Sequence, residues 1–425
     1  MISERPSTRW IIAQEGSRET YSLPLAFYRT QQLRLLYVDV WCTRGRSLLR
    51  RGPAHARALA TRFHPEIPLE LVKAFTIGST VRRAWLRLRQ RKLSRSQISL
   101  ADGDFGHWFA SRICRHLKKQ ELDPKLDHFF GFNGYSLEAL EYLRERKIFS
   151  VLDQVDPGLV EEDMCFEEAE RWPGWEGTPG RIAPEYWKRV KAEWQAASAV
   201  MVNSNWSRKA LVQQGIPDQK IMVVPLAIQL PEDRPPVPIT AKGPLKVLWL
   251  GSVILRKGIQ YLVEAAKELQ SSNIEFLIAG PLGISDQALR TFPPNIKLLG
   301  RITRDHLRRT YQTAHVFVLP TISDGFAVTQ LEAMAQGLPV IATPNCGEVV
   351  TDGVDGLIVP ARDGAALAAA IRKLDADRDL LRNMSANSLL TVQKYKIPTN
   401  AILMQQLVAQ MRRQEFAGSG LALAK

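Results

Sequence analysis

From residue 245 onward, short apolar runs alternate with amphipathic segments, and few architectures accept that pattern. Residues 245–251, 274–279, 295–300, 315–320, 338–343 and 356–359 each read as a strand. Between the first two, Ile259, Leu262, Val263, Ala266 and Leu269 recur at helical spacing, and 303–313 reads as another helix. Strands this apolar have no wet face. Separated by helices, they predict a parallel sheet covered on both sides, the doubly wound α/β arrangement. Such sheets bind ligands in the crevice at the carboxyl ends of their strands.

The first half repeats the alternation less regularly. Strands are expected at 10–13, 35–40, 128–131, 149–152 and 199–203, with helices at 137–147 and 187–197. Between the halves, Pro231, Pro235, Pro236 and Pro238 exclude both a helix and a central strand, which marks 231–243 as a linker. At 425 residues the chain is long enough for two cores. The expectation is two Rossmann-like domains, 1–230 and 244–395, facing across a cleft. Residues 396–425 are expected to form a helix that returns to the first domain.

The charge is uneven. The formal net charge is +14, and Arg44, Arg46, Arg50, Arg51, Arg57 and Arg62 meet no acid between Val40 and Pro65. In a denser block Arg82, Arg83, Arg87, Arg89, Arg91, Lys92 and Arg95 surround Trp85, Leu86 and Leu88. This block reads either as a solvated basic face or as a face for an anionic membrane surface. Nucleic acid is not expected as a partner, because no recognisable nucleic-acid module accompanies the patch. No apolar run reaches the ~18 residues that a membrane span needs. Cys42, Cys114, Cys165 and Cys346 show no zinc or disulfide spacing and read as buried thiols in a reducing compartment. A cytoplasmic protein follows, peripheral on the inner face of the membrane if the basic block binds lipid.

The chemistry concentrates in 323–337. Asp324 lies four positions beyond the apolar run 316–320, hence in the crevice, and Glu332 follows eight positions later. Glu332 is the only charged side chain between Gly325 and Gly347, and a lone acid in so apolar a helix is poorly explained by solubility. Eight positions across a loop and a helix cover about 10 Å at the helical rise. Asp324 also fits a helix cap, which leaves a structural reading of it open. Asp102-Gly103-Asp104 and Asp375-Ala376-Asp377 are chance-frequency acidic triplets, and no metal is expected.

These residues resemble a known family. Gly251-Ser252-Val253-Ile254-Leu255-Arg256-Lys257-Gly258 follows the first strand of the second half. Asp324-Gly325-Phe326-Ala327 with Glu332 forms a pair of acids in an E-x7-E-like pattern. Residues 339–343, Gly347-Glu348-Val349-Val350 and 356–360 complete the set, and upstream Val202-Asn203-Ser204-Asn205-Trp206-Ser207 and 221–225 fit the end of a first domain. From 199 to 360 the chain is similar to the retaining GT-B glycosyltransferases of family 4.

The resemblance implies a nucleoside diphosphate sugar, UDP- or GDP-linked, as donor, with a saccharide or lipid-linked acceptor and no cofactor. It casts Asp324, Arg256 and Lys257 as catalytic, and Glu332, Gly325, Phe326, Ala327, Gly251 and Ser252 as donor-binding. Arg256, Lys257 and the amides at the helix start after Phe326 would meet the diphosphate. Asp324 would face the hexose, and Glu332 the ribose. Gly16, Arg18, Asn133 and His107 are the acceptor-side candidates, His107 by default only. Two departures stand out: Asp324 replaces the family's usual Glu, and Ser252 stands where many members have Arg. A nucleotide-sugar epimerase of the same fold, and a non-catalytic scaffold binding nucleotide sugar or membrane, are the rival readings.

Overall fold

The computed structural model describes residues 8–90, 93–177, 180–230 and 243–422. Most of the expected linker, and Arg91 and Lys92 of the basic block, lie outside the described residues. The first sheet contains β1 (Arg9–Gln14), β2 (Leu33–Val38), β3 (Val72–Ala74), β4 (Asp127–Phe132), β5 (Phe149–Asp153), β6 (Ala199–Val202) and β7 (Ile221–Val223). The second contains β8 (Leu245–Leu250), β9 (Ile274–Ala279), β10 (Ile296–Gly300), β11 (Val316–Leu319), β12 (Val340–Ala342) and β13 (Gly356–Ile358). Their orders are β3-β2-β1-β4-β5-β6-β7 and β10-β9-β8-β11-β12-β13. Every pairing between these strands is parallel.

Strand alternation divides each sheet between two apolar layers. Ile11 and Ala13 join one cluster of the first domain, with Phe109 and Leu140, whereas Trp10 and Ile12 join the opposite one, with Phe27 and Phe130. In the second domain Val247 and Trp249 face one layer and Leu248 the other. Full burial of each large aliphatic or phenylalanine side chain among these contributes about 1.5–3 kcal/mol.

In each sheet the strand order reverses beside the first strand. β1 lies between β2 and β4, and β8 between β9 and β11. These are the switch points at which doubly wound sheets open a crevice. Gly16 follows β1 and Gly251 follows β8, so both glycines mark the crevice edge.

Two segments cross between the domains in opposite directions. After the helix Leu159–Arg171, Trp175 enters the second domain's cluster beside Leu245 and Phe276, and Trp172 stacks edge-on against Tyr261 at 5.9 Å. Conversely, the helix Thr399–Ala422 places Met404 and Val408 in the first domain's cluster with Trp10 and Phe130. Gln405 there donates to Gln32 at 2.6 Å.

The elements differ from the sequence expectation in four places. The three-residue strands β3 and β7 are too short to show a period. The helices Thr76–Gln90 and Arg95–Leu117 occupy a stretch where the sequence showed only a basic, partly amphipathic pattern. Of the four cysteines only Cys346 is fully buried; Cys42, Cys114 and Cys165 are half-buried. The linking residues between β2 and the helix Arg95–Leu117 include further short helices, Arg46–Arg51 and Ala54–Ala60, that carry the first run of arginines.

Candidate functional site

The site begins with a turn. After β8 and Gly251, residues Leu255–Lys257 make one 3₁₀ turn that ends at Gly258, with φ of 74°. A Cβ on Gly258 would lie 1.8 Å from the Pro320 carbonyl oxygen, so only glycine lets this turn seat against the loop after β11. The Arg256 carbonyl accepts from the Ile322 amide at 2.9 Å and from the Thr321 hydroxyl at 3.0 Å. These bonds fix Arg256 and Lys257 next to Asp324.

Lys257 Nζ forms a direct ion pair with Asp324, and the Arg256 guanidinium lies 3.9 Å from the same carboxylate. Arg256 also donates to the Ser323 carbonyl at 2.9 Å and reaches Glu161 at 3.3 Å. Glu161 belongs to the helix Leu159–Arg171 that follows β5. Its carboxylate accepts from the Ser323 hydroxyl at 2.9 Å, and that hydroxyl accepts from the Trp206 indole at 3.1 Å. Burial pushes Glu161 up to about 7, against the opposing pull of Arg256. Two cations and two carboxylates thus meet where the two sheets face each other.

Neighbouring contacts hold the domains together at this point. A Cβ on Gly325 would lie 2.3 Å from the Val155 carbonyl oxygen, so the loop after β11 presses against the loop after β5. Glu348 accepts from the amides of Asn205 at 3.0 Å and Trp206 at 3.1 Å, the first turn of the helix Asn205–Gln213. A carboxylate there complements the partial positive charge of the helix N-terminus.

The sequence-derived donor residues separate into groups. Asp324, Arg256 and Lys257 converge. Glu332 lies half-buried on the helix Val328–Met334, where its carboxylate accepts from the Tyr311 hydroxyl at 2.8 Å. Gly251 is at the crevice edge, where Gly280 approaches so closely that a Cβ on Gly280 would lie 1.7 Å from the Gly251 carbonyl oxygen. Ser252 beside it is exposed. Phe326 and Ala327 lie at the turn into the helix Val328–Met334. Both are buried: the Phe326 ring packs over Gly347, and the Ala327 amide donates to the Cys346 carbonyl at 3.0 Å. The Asp324 amide is likewise engaged, by Asn345, so these two amides do not point at a ligand.

The acceptor-side candidates are dispersed. Gly16, with φ of 85°, donates its amide to Asp39 at 3.0 Å, and a Cβ there would lie 2.8 Å from the Arg62 guanidinium. Arg62 pairs with Asp39 at 3.1 Å and Glu15 at 3.5 Å, and Arg83 pairs with Glu15 as well. Arg18 lies over the Phe132 ring at 4.6 Å, its Nε buried with no hydrogen-bond partner among the described residues. Asn133 is buried at the end of β4, its amide donating to the Asp153 carbonyl at 3.0 Å. Burial pushes the Asp153 carboxyl up to about 8. His107 stands apart: its exposed ring meets Glu138 at 2.5 Å, on a carboxylate that Arg189 already holds.

Sequence reasoning missed Glu161, Ser323 and Glu348 as site residues. Glu161 sits in a run of three acids, Glu161-Glu162-Asp163, and nothing local singles it out. Ser323 and Glu348 lie within motifs already noted, without a role until the first domain is placed against them. Among the described residues no three His, Cys, Asp or Glu side chains converge as metal ligands would.

Comparisons with known proteins agree with this architecture. Residues 244–377 match the family model for glycosyl transferases group 1. The chain is 29% identical over 185 residues to the amylovoran biosynthesis glycosyltransferase AmsK of Erwinia amylovora, covering 40% of this chain and 45% of that one. It is 32% identical over 155 residues to the capsular polysaccharide biosynthesis glycosyltransferase CapM of Staphylococcus aureus, covering 34% and 40%. The alignments thus span less than half the length of these relatives. Among solved structures, sucrose-phosphate synthase from Thermosynechococcus elongatus aligns over 97% of this chain and 100% of its own, with a TM-score of 0.63 and 18% identity. Anabaena HepE, solved with UDP and glucose, aligns over 95% and 100%, with a TM-score of 0.56 and 15% identity. The fold is GT-B over the length of the chain. Its second domain resembles the group 1 glycosyltransferases in sequence as well.

Proposed function

We propose that the protein is a retaining glycosyltransferase, acting in cell-surface polysaccharide or glycoconjugate biosynthesis. It moves a hexose from a nucleoside diphosphate sugar to a saccharide or lipid-linked acceptor. The observation that carries this reading is the convergence of Arg256, Lys257 and Asp324 at the carboxyl edge of the second sheet, with Glu332 on the helix Val328–Met334 that follows the same loop. The polysaccharide-biosynthesis names of AmsK and CapM support the pathway class, and the UDP and glucose held by HepE support a UDP-linked donor.

On this reading the donor diphosphate exchanges into the ion cluster. Its oxygens take Arg256 and Lys257, displacing Glu161 and Asp324 as their partners. Asp324 is then free to accept from hexose hydroxyls, and Glu332 turns from Tyr311 to the ribose. As the anomeric carbon–oxygen bond breaks, charge grows on the departing phosphate, where two fixed cations stabilise it. The acceptor oxygen bonds to the same face of the sugar and passes its proton to a departing phosphate oxygen. No resident metal is invoked, since the two cations supply the charge. The contacts of Gly325 and Glu348 join the two domains beside this point, where closure over the donor would limit its hydrolysis. The protein works in the cytoplasm, and peripherally at the inner face of the membrane if its basic block binds lipid.

Thermal unfolding with a panel of UDP- and GDP-sugars tests the reading. A bound donor stabilises the native state by mass action. The matching sugar nucleotide raises the melting temperature, and Glu332→Ala weakens that rise by about 1.5–3 kcal/mol of binding free energy, the range for a hydrogen bond to a charged group. If no sugar nucleotide stabilises the wild-type protein, the reading fails.

A further inference from the structure

Glu161 sits on a cation that the donor chemistry needs, and the fold gives it no room to leave. It lies in the first turn of the helix Leu159–Arg171, and its side chain is 17% exposed. That helix is held at both ends. At its start the Leu159 amide donates to Gln214 at 3.0 Å, and Glu162 accepts from the Ile182 amide at 2.7 Å and the Trp187 indole at 2.8 Å. At its other end Glu168 accepts from Gln260 and from the Tyr261 hydroxyl, each at 2.9 Å, and pairs with Arg362. The first set of partners belongs to the first domain and the second set to the second domain, so the helix stays in the corner between them.

Every element packed around Glu161 brings charge or polarity to it. The turn Leu255–Lys257 brings Arg256, whose terminal nitrogen lies 3.3 Å from Glu161 and also donates to the Ser323 carbonyl. The loop after β11 brings the Ser323 hydroxyl, at 2.9 Å, and Asp324 in its pair with Lys257. The loop after β5 brings Asp156, and the next turn of Glu161's own helix brings Cys165. Behind Arg256, Glu176 accepts from the Leu255 amide with Arg95 beside it, and Arg18 faces Asp156 from the segment after β1. These groups come to four carboxylates and four cations. Burial lifts Asp156 and Glu176 as it lifts Glu161. Asp156, however, keeps the Gly158 amide at 2.9 Å and the Gln154 side-chain amide at 3.0 Å, and Glu176 keeps the Leu255 amide. Glu161 has no backbone amide and leans on Arg256 and one hydroxyl.

A nucleoside diphosphate sugar carries an ionised diphosphate and no group that titrates near neutrality. When such a dianion takes Arg256, Glu161 loses the charge that keeps it ionised and gains like charge beside it, in a corner little open to water. A carboxylate so placed takes up a proton. We propose that donor binding transfers Arg256 from Glu161 to the diphosphate, and that Glu161 takes one proton from solvent and, as a carboxylic acid, donates a hydrogen bond to a phosphate oxygen. No covalent bond changes, and the added proton offsets part of the charge that the donor brings. This rests on the glycosyltransferase reading and adds to it the group through which the first domain responds to the donor.

Calorimetry on the full chain tests the proposal, with UDP-glucose as first probe and then any other sugar nucleotide that stabilises the protein. Titrations in phosphate and in Tris, buffers with different ionisation heats, count the protons bound. The wild type should take up about one proton per donor at pH 8, where free Glu161 is ionised, and almost none at pH 5.5, where it is already protonated. Glu161→Gln, whose amide mimics the protonated carboxyl, should take up none at either pH. It should bind the donor about tenfold more tightly than the wild type at pH 8 and equally at pH 5.5. Ser323→Ala removes a hydrogen bond from ionised Glu161 and should move the uptake to higher pH. Should Glu161→Gln fold poorly, the wild-type and Ser323→Ala profiles decide the matter alone. Uptake that persists in Glu161→Gln overturns the proposal, as does weaker donor binding by that variant at pH 8. A donor that binds the wild type without proton uptake strikes this coupling and leaves the glycosyltransferase reading standing. If no sugar nucleotide binds either protein, both fall.

Discussion

The two sheets end on the cleft with ion clusters of similar make-up and opposite organisation. Beside β1, Glu15, Asp39, Arg62 and Arg83 pair within the first domain, and Gly16 closes the group. Beside β8, Arg256 and Lys257 pair with Asp324 of their own domain and with Glu161 of the other. The first cluster holds one domain's loops in place. The second is shared between domains, so a ligand that takes its cations also changes what holds the cleft. Residue types alone do not separate a structural cluster from a functional one; the origin of the partners does.

Substitutions should expose that difference. Arg256→Ala and Lys257→Ala should each lower turnover about 10²–10³-fold, the cost of removing one preorganised charge from a developing oxyanion, with modest loss of stability. Steady-state kinetics with the donor found by thermal shift measures it. Arg62→Ala should act the other way. It strips a partner from the fully buried Asp39, so denaturant unfolding should show a loss of about 3 kcal/mol, while turnover of the folded fraction changes less. If Arg62→Ala lost turnover at full stability, the contrast between the clusters would be wrong.

The shared cluster should also respond to pH. Burial raises Glu161 from 4.5 to about 7, so the folded protein keeps a proton that the unfolded chain releases in that window. The contribution of Glu161 to stability is therefore favourable below about 4.5 and is lost as pH rises towards 7. Melting temperatures across this range should fall less steeply in Glu161→Gln than in the wild type. An identical slope would show that Glu161 does not titrate there. The smallest effect belongs to His107. Its ion pair is exposed and its carboxylate keeps Arg189, so His107→Ala should shift stability by about 0.5 kcal/mol or less and leave turnover unchanged.

How far the sequence could be read follows from the range of each interaction. The strands of the second half were legible to within about two residues, because a buried parallel strand writes an uninterrupted apolar run. β3 has three residues and no fully buried side chain, and it left no such run. Asp324, Arg256 and Lys257 were legible as a group because their motif spacing encodes one turn and one loop. Phe326 and Ala327 were read as donor contacts from the same motif; their packing against Gly347 and Cys346, which belong to a later loop, was not legible. Glu161 was not legible, since it meets Ser323 across 162 positions and a domain boundary. The basic block was visible as charge, but the two helices that carry it, Thr76–Gln90 and Arg95–Leu117, were not.

The crossing segments have a consequence for manufacture. Trp175 is synthesised well before the second domain whose core it enters, and Met404 well after the first domain whose core it completes. Neither core is complete until residues of the other half have been made. The layer around Trp10 and Phe130 lacks Met404 and Val408 until the helix Thr399–Ala422 has been made, and Trp175 has no partners to pack against before β8 and β9 exist. Each half thus contributes side chains to the other half's core.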